Sequence, residues 1–80
     1  SFRDVPIDRG TVMIGEVGLS GEIRPVGDVA RRLHEAARLG FGRAIIPAAR
    51  RDRLPKIEGL TVRTVRTVGE AIETALRGES

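Results

Sequence analysis

The 80-residue chain has no cysteine, tryptophan or tyrosine, one histidine, one methionine and two phenylalanines. Without cysteine there can be no disulfide and no thiolate metal site, which excludes zinc fingers and cysteine nucleophiles; imidazole chemistry is left to His34 alone. No apolar run approaches the roughly 20 residues needed to cross a bilayer, and the opening SFRDVPID lacks the regions of a signal peptide, which points to a cytoplasmic protein. The chain begins with serine inside a mixture of charged and apolar residues, and the expectation is that natural sequence precedes it.

What is present is a globular balance, 40% apolar and 31% charged residues. Twenty-four Val, Ile, Leu, Met and Phe side chains suffice for one small core. Thirteen of the 14 cations are arginine, and the net charge is +3. Residues 50–56 (RRDRLPK) carry four positive charges and one negative, and the rest of the chain carries ten of each, so the whole excess lies in seven residues. Such a cluster suits phosphate contact through counterion release; it equally suits a solvated loop that keeps the protein soluble. Neither phenylalanine lies beside it to stack on bases.

Residues 1–10 read as a lead-in. TVMIGEV (11–17), the reversal Gly18–Gly21 and EIRPV (22–26) read as a β-hairpin over 11–26, with Gly15 admitting a close neighbour or a bulge and Pro25 ending an edge strand. Asp28 is the expected N-cap of a helix over 28–39, whose face is Val29, Leu33, Ala36 and Ala37, with Arg31 and Glu35 paired on the wet side and Gly40 closing it. Residues 43–47 form an unbroken apolar strand suited to the centre of a sheet, 48–60 a basic loop, and 61–65 a strand. A helix over 67–77 begins with a Thr67/Glu70 capping box and carries the stripe Val68, Ala71, Ile72, Ala75 and Leu76, with Gly78 ending it. The order is ββαβ, loop, βα, an α/β (α+β) arrangement.

No nucleotide loop is encoded, because Gly15, Gly18 and Gly21 have the wrong spacing for a dinucleotide fingerprint and the only lysine, Lys56, follows Pro55. Ser20 paired with His34 is the one conceivable nucleophile and base, and His34 reads instead as a partly exposed helix residue.

The stretches GEVGLSGEIRPV (15–26), GFGRAIIPAA (40–49), IEGLTVRTV and GEAIETAL resemble the C-terminal Lon-protease-like domain of the RadA (Sms) family of bacterial DNA repair proteins. The resemblance implies a ribosomal S5 domain 2-like fold of which this chain is the C-terminal half, with a zinc finger, a RecA-like ATPase using ATP and Mg, and the first strands of the domain lying upstream. It further implies a hexameric parent, DNA as partner during branch migration, and a role as assembly scaffold. Lon peptidases carry Gly-Gly-Leu-Lys at the helix start, the lysine being the general base. Gly27-Asp28-Val29-Ala30 stands there in this chain, and a methyl group accepts no proton. Arg31 and Arg32 cannot replace it, since a guanidinium stays protonated near neutrality. Arg24, Arg50, Arg51, Arg53 and Lys56 are the expected DNA or subunit contacts. The alternatives are a segment of a Ser-Lys peptidase and a subunit-interaction domain without DNA contact.

Overall fold

The computed structural model describes residues 4–49 and 53–77. Its central element is β5 (Arg43–Pro47), in which all five residues are buried. It lies parallel to β2 (Thr11–Ile14) on one side and to β6 (Thr61–Val65) on the other, while β1 (Asp4–Pro6) runs antiparallel along the far side of β2. The sheet order is β1-β2-β5-β6. Alternation along the strands sends Val12, Ile14, Ala44 and Ile46 to one face, where they meet Val29, Leu33 and Ala36 of α1 (Val29–Arg38). Met13, Ile45 and Val65 go to the other face and meet Ala71 and Ala75 of α2 (Val68–Arg77). A strand covered on both faces has no polar side to show, which is why residues 44–46 read as a continuous apolar run.

The strands expected at 43–47 and 61–65 have those bounds in the structure. The lead-in does not stay irregular. Asp4–Pro6 pairs with Val12–Ile14, and Pro6 fits because an edge strand can spare an amide proton. The hairpin over 11–26 is also divided. Thr11–Ile14 belongs to the main sheet, the chain breaks at Gly15, and only β3 (Glu16–Val17) and β4 (Ile23–Arg24) form the two-stranded ribbon. Gly15 causes the break by close approach: a Cβ there would lie 2.5 Å from Cγ2 of Ile23 and 3.3 Å from Pro47 Cγ. The ribbon is tied to the start of α2, with the Ile23 amide donating to Arg66 O and the Val68 amide to Gly21 O.

Both helix starts differ from the expected capping. Asp28 sits at the N-cap of α1 in a left-handed conformation (φ 58°, ψ 38°), and its carboxylate takes no helix amide but lies 3.3 Å from Arg31 Nη2. A left-handed N-cap swings the side chain off the axis, so the Arg31–Glu35 pair gives way to Arg31–Asp28 and Arg38–Glu35, both at spacing three. At α2, Thr67 Oγ1 accepts from the Glu70 amide at 3.1 Å, while the Glu70 carboxylate reaches back to the amide of Arg66, one residue before the cap, at 2.5 Å. The end of α1 is as expected. Gly40 is left-handed (φ 100°), its amide donates to Ala37 O and that of Phe41 to Ala36 O, which together are the Schellman arrangement.

The stripe assigned to α2 is only half covered. Val68, Ala71 and Ala75 face the sheet, whereas Ile72 is 48% and Leu76 81% exposed. The small alanines bring the helix axis close to the strands, and at 100° per residue positions 72 and 76 fall on its flank. Gly78 lies outside the described residues.

Candidate nucleic-acid interface

The start of α1 is where the family pattern would put its base. Val29 is buried and fixes the first turn, and Ala30 beside it is exposed. Asp28 holds the left-handed conformation that glycine adopts without cost, at the position of the second glycine in Gly-Gly-Leu-Lys. The two arginines after Ala30 are both engaged. Arg31 pairs with Asp28, and Arg32, its side chain 18% exposed, donates from Nε to Gly27 O at 2.8 Å and from Nη1 to both Asp4 carboxylate oxygens at 3.0 Å. Arg32 thereby holds the turn before α1 against β1. A recess of about 390 Å³ beside it is lined by Glu16, Pro25, Val26, Gly27, Asp28 and Arg32. It offers carboxylates and a committed guanidinium, and no amine. Ser20 lies in the ribbon turn with its amide donating to Glu22 Oε1, and His34 is exposed on α1; no hydrogen bond joins the two among the described residues.

The basic loop is built on an apolar anchor that its charge pattern hides. Leu54 and Ile57 pack with buried Leu60 and with Val62 against the α1 side of the core, and a spacing of three keeps them inward while Arg53 and Lys56 point to solvent. Arg53 and Lys56 enter no ion pair among the described residues. Arg50 and Arg51 lie outside the described residues.

Arg24, the other expected contact, stands on β4 with its guanidinium on Glu22: Nη2 is 2.6 Å and Nε 3.2 Å from Oε2. The Glu22 carboxyl is held below its ordinary value, first by its own backbone amide and then by Arg24. A hydrogen bond from Arg38 lowers Glu35 in the same way and raises Arg38 in turn. The described arginines therefore divide. Those at 24, 31, 32 and 38 neutralise acids of the fold, while Arg53, Arg63 and Arg66, with Lys56, lie along the β5–β6 connection, on β6 and just past its end, without an acidic partner among the described residues.

One structural centre escaped the sequence reading. Arg43 is 8% exposed at the start of β5, its Nε donating to Thr11 Oγ1 at 3.2 Å and its Nη2 to Ala75 O at 3.1 Å. It joins β2 and β5 to the last turn of α2, where cations are favoured by the helix carbonyls. Asp8 lies near this group; its carboxyl is held low chiefly by the Gly10 amide at 2.9 Å, then by Thr11, with the charge of Arg43 adding least. The available signal was a cation opening a run that must be covered on both faces.

Comparison with known proteins agrees with this geometry. Residues 1–78 match the family described as Lon protease (S16) C-terminal proteolytic domain. The chain is 50% identical over 78 residues to the DNA repair protein RadA of Bacillus subtilis (strain 168), covering 98% of this chain and 17% of that protein. It is 47% identical over 72 residues to the RadA of Salmonella typhimurium and 46% over 74 to that of Escherichia coli K12, each alignment covering 90% of this chain and 15% of the relative. The chain thus spans about a sixth of the length of the curated relatives it matches. Among the described residues no helix is long and apolar enough to cross a membrane. With its mixed sheet between two helices, this chain belongs to the Lon protease C-terminal proteolytic domain family and is similar to part of the RadA DNA repair proteins.

Proposed function

We propose that this chain is a non-proteolytic Lon-type domain of a cytoplasmic, RadA-like DNA repair ATPase, acting as an assembly scaffold and as a DNA-contacting surface during branch migration. The observation that carries the reading is Ala30: an exposed methyl on the first turn of α1, following a left-handed residue at 28 that a glycine would adopt without cost, with both neighbouring arginines already bonded. A side chain with no lone pair takes no proton from a serine hydroxyl. In the intact parent, ATP, Mg and the zinc finger belong to other parts of the polypeptide, and hexamer formation rests partly on this domain.

DNA contact falls to Arg53 and Lys56, exposed and without acidic partners among the described residues, together with Arg50 and Arg51 of the same charge cluster. Arg24 contributes less, because a phosphate there displaces the Glu22 carboxylate. The test is replacement of Arg50, Arg51, Arg53 and Lys56 by glutamine in the intact protein, with duplex affinity measured against salt. Each lost phosphate contact lowers the slope of log K on log salt by about 0.9. Unchanged affinity and slope with normal assembly would leave a subunit-interaction domain without DNA contact. Cleavage of an unfolded protein by the intact material, abolished by mutating one serine, would restore the peptidase reading.

A further inference from the structure

β6 is an edge strand, and among the described residues no strand pairs with its outer side. In its parallel ladder the Thr61 amide donates to Gly42 O and Val65 O accepts from Ala48, so the odd-numbered residues turn their backbone groups toward β5. Val62 and Thr64 therefore turn theirs outward, where no partner exists among the described residues. On the α1 side of this edge lies a depression of about 330 Å³ lined by Leu54, Pro55, Lys56, Ile57, Leu60 and Val62. From Arg53 to Arg66 the chain carries four cations and one acid, Glu58, a net charge of +3, and none of the four cations is ion-paired among the described residues.

We propose that the outer edge of β6 is a docking site for an extended acidic peptide, which adds to the sheet as a further strand. The free N–H and C=O groups of Val62 and Thr64 supply main-chain hydrogen bonds, and the depression receives an apolar side chain from one face of the added strand. Arg53, Lys56, Arg63 and Arg66 select carboxylates on it. A second copy of this chain is the wrong occupant: antiparallel pairing of two β6 strands about Arg63 sets like charges opposite each other.

The probe is a labelled, end-blocked peptide Glu-Val-Glu-Leu-Glu-Val-Glu titrated into the intact protein, with its all-lysine counterpart as control. The acidic peptide binds, the lysine peptide does not, and the Val62 and Thr64 amides gain hydrogen-exchange protection. Thr64→Pro removes one outward donor from an exposed edge position where proline is tolerated, and weakens binding roughly tenfold with the unfolding midpoint kept. Lys56→Glu weakens it as well. If Thr64→Pro fails to fold, the exchange data on the unaltered protein decide. Equal binding by both variants, no protection at residues 62 and 64, or protection there that grows with protein concentration in the absence of peptide overturns the proposal.

Discussion

Replacing Gly15 with alanine puts a methyl carbon 2.5 Å from Ile23 Cγ2 and 3.3 Å from both the Arg24 carbonyl oxygen and Pro47 Cγ. Carbon atoms rest at about 3.5–4.0 Å, so roughly 1 Å of overlap has to be relieved. The obvious route is closed. Ile23 is 5% exposed within the α2-side core, and its backbone is held by Val17 across the ribbon and by Arg66 O. Inserted methyl groups that cannot be accommodated cost about 1–3 kcal/mol. For a domain of this size each kcal/mol lowers the midpoint by about 4–8 °C, so the thermal unfolding midpoint of Gly15→Ala should fall by about 4–24 °C. Circular dichroism at 222 nm and urea titration both read it. The control is Gly42→Ala, where a Cβ meets nothing within 4 Å and the backbone is not left-handed. Ile23→Leu moves the branch away from Cβ, so Gly15→Ala combined with Ile23→Leu should be less destabilised than the sum of the single changes. Gly15→Ala within about 0.5 kcal/mol of the parent, or strict additivity in the pair, would refute the close-approach account of the strand break.

Two further outcomes follow from groups that the fold has paired. Arg43→Met keeps the length of the side chain but leaves Thr11 Oγ1 and Ala75 O without their donor in a buried setting, and should lower unfolding free energy by about 2–3 kcal/mol in urea, with loss of helix signal beginning earlier than in the parent. Glu35 and Glu22 have folded pKa values depressed below 4.5, so the stability they contribute is fully present above that value and is lost as pH falls through the lowered folded pKa. Urea midpoints should therefore be flat near neutrality and drop in acid, and Glu35→Gln should make the acid drop shallower; an unaltered acid limb would show that the Arg38 pair does not hold that carboxyl in solution.

Much of this architecture is legible in the residues because single physical causes act on short stretches. Residues 44–46 admit no reading but a covered strand, and Gly40 closes α1 because its amide and that of Phe41 bond backward onto the helix, a local matter. The change from strand to helix between 65 and 68 falls where Thr67 caps α2, as its hydroxyl and Glu70 predict. What was not legible depends on distant partners. Asp4–Pro6 becomes a strand only because β2 lies open beside it. The division at Gly15 needs Ile23 and Pro47 to arrive from elsewhere. Ile72 and Leu76 fit an apolar helix stripe by spacing, and only the docking of α2 through Ala71 and Ala75 decides that they stay outside. In the candidate interface, Arg53 and Lys56 could be named from the charge cluster. That Arg24 is held by Glu22, whereas Arg63 and Arg66 have no acidic partner among the described residues, depends on the folded arrangement.

On the proposed reading, fold and catalysis can separate at the start of α1 because of Arg32. Its guanidinium fixes Gly27 O and Asp4 from a position two residues past Ala30, and Val29 anchors the turn from the opposite side by burial. The left-handed residue at 28 is thus held by a backbone carbonyl, a carboxylate and an apolar contact, none of which involves the side chain at 30. A lysine there would point outward from the same turn with no structural task, so its exchange for alanine removes a proton acceptor at almost no cost in stability; alanine even raises helix propensity slightly. On the proposed reading, a change at this exposed site touches none of the contacts that hold the ribbon, α1 and the central β5 in place.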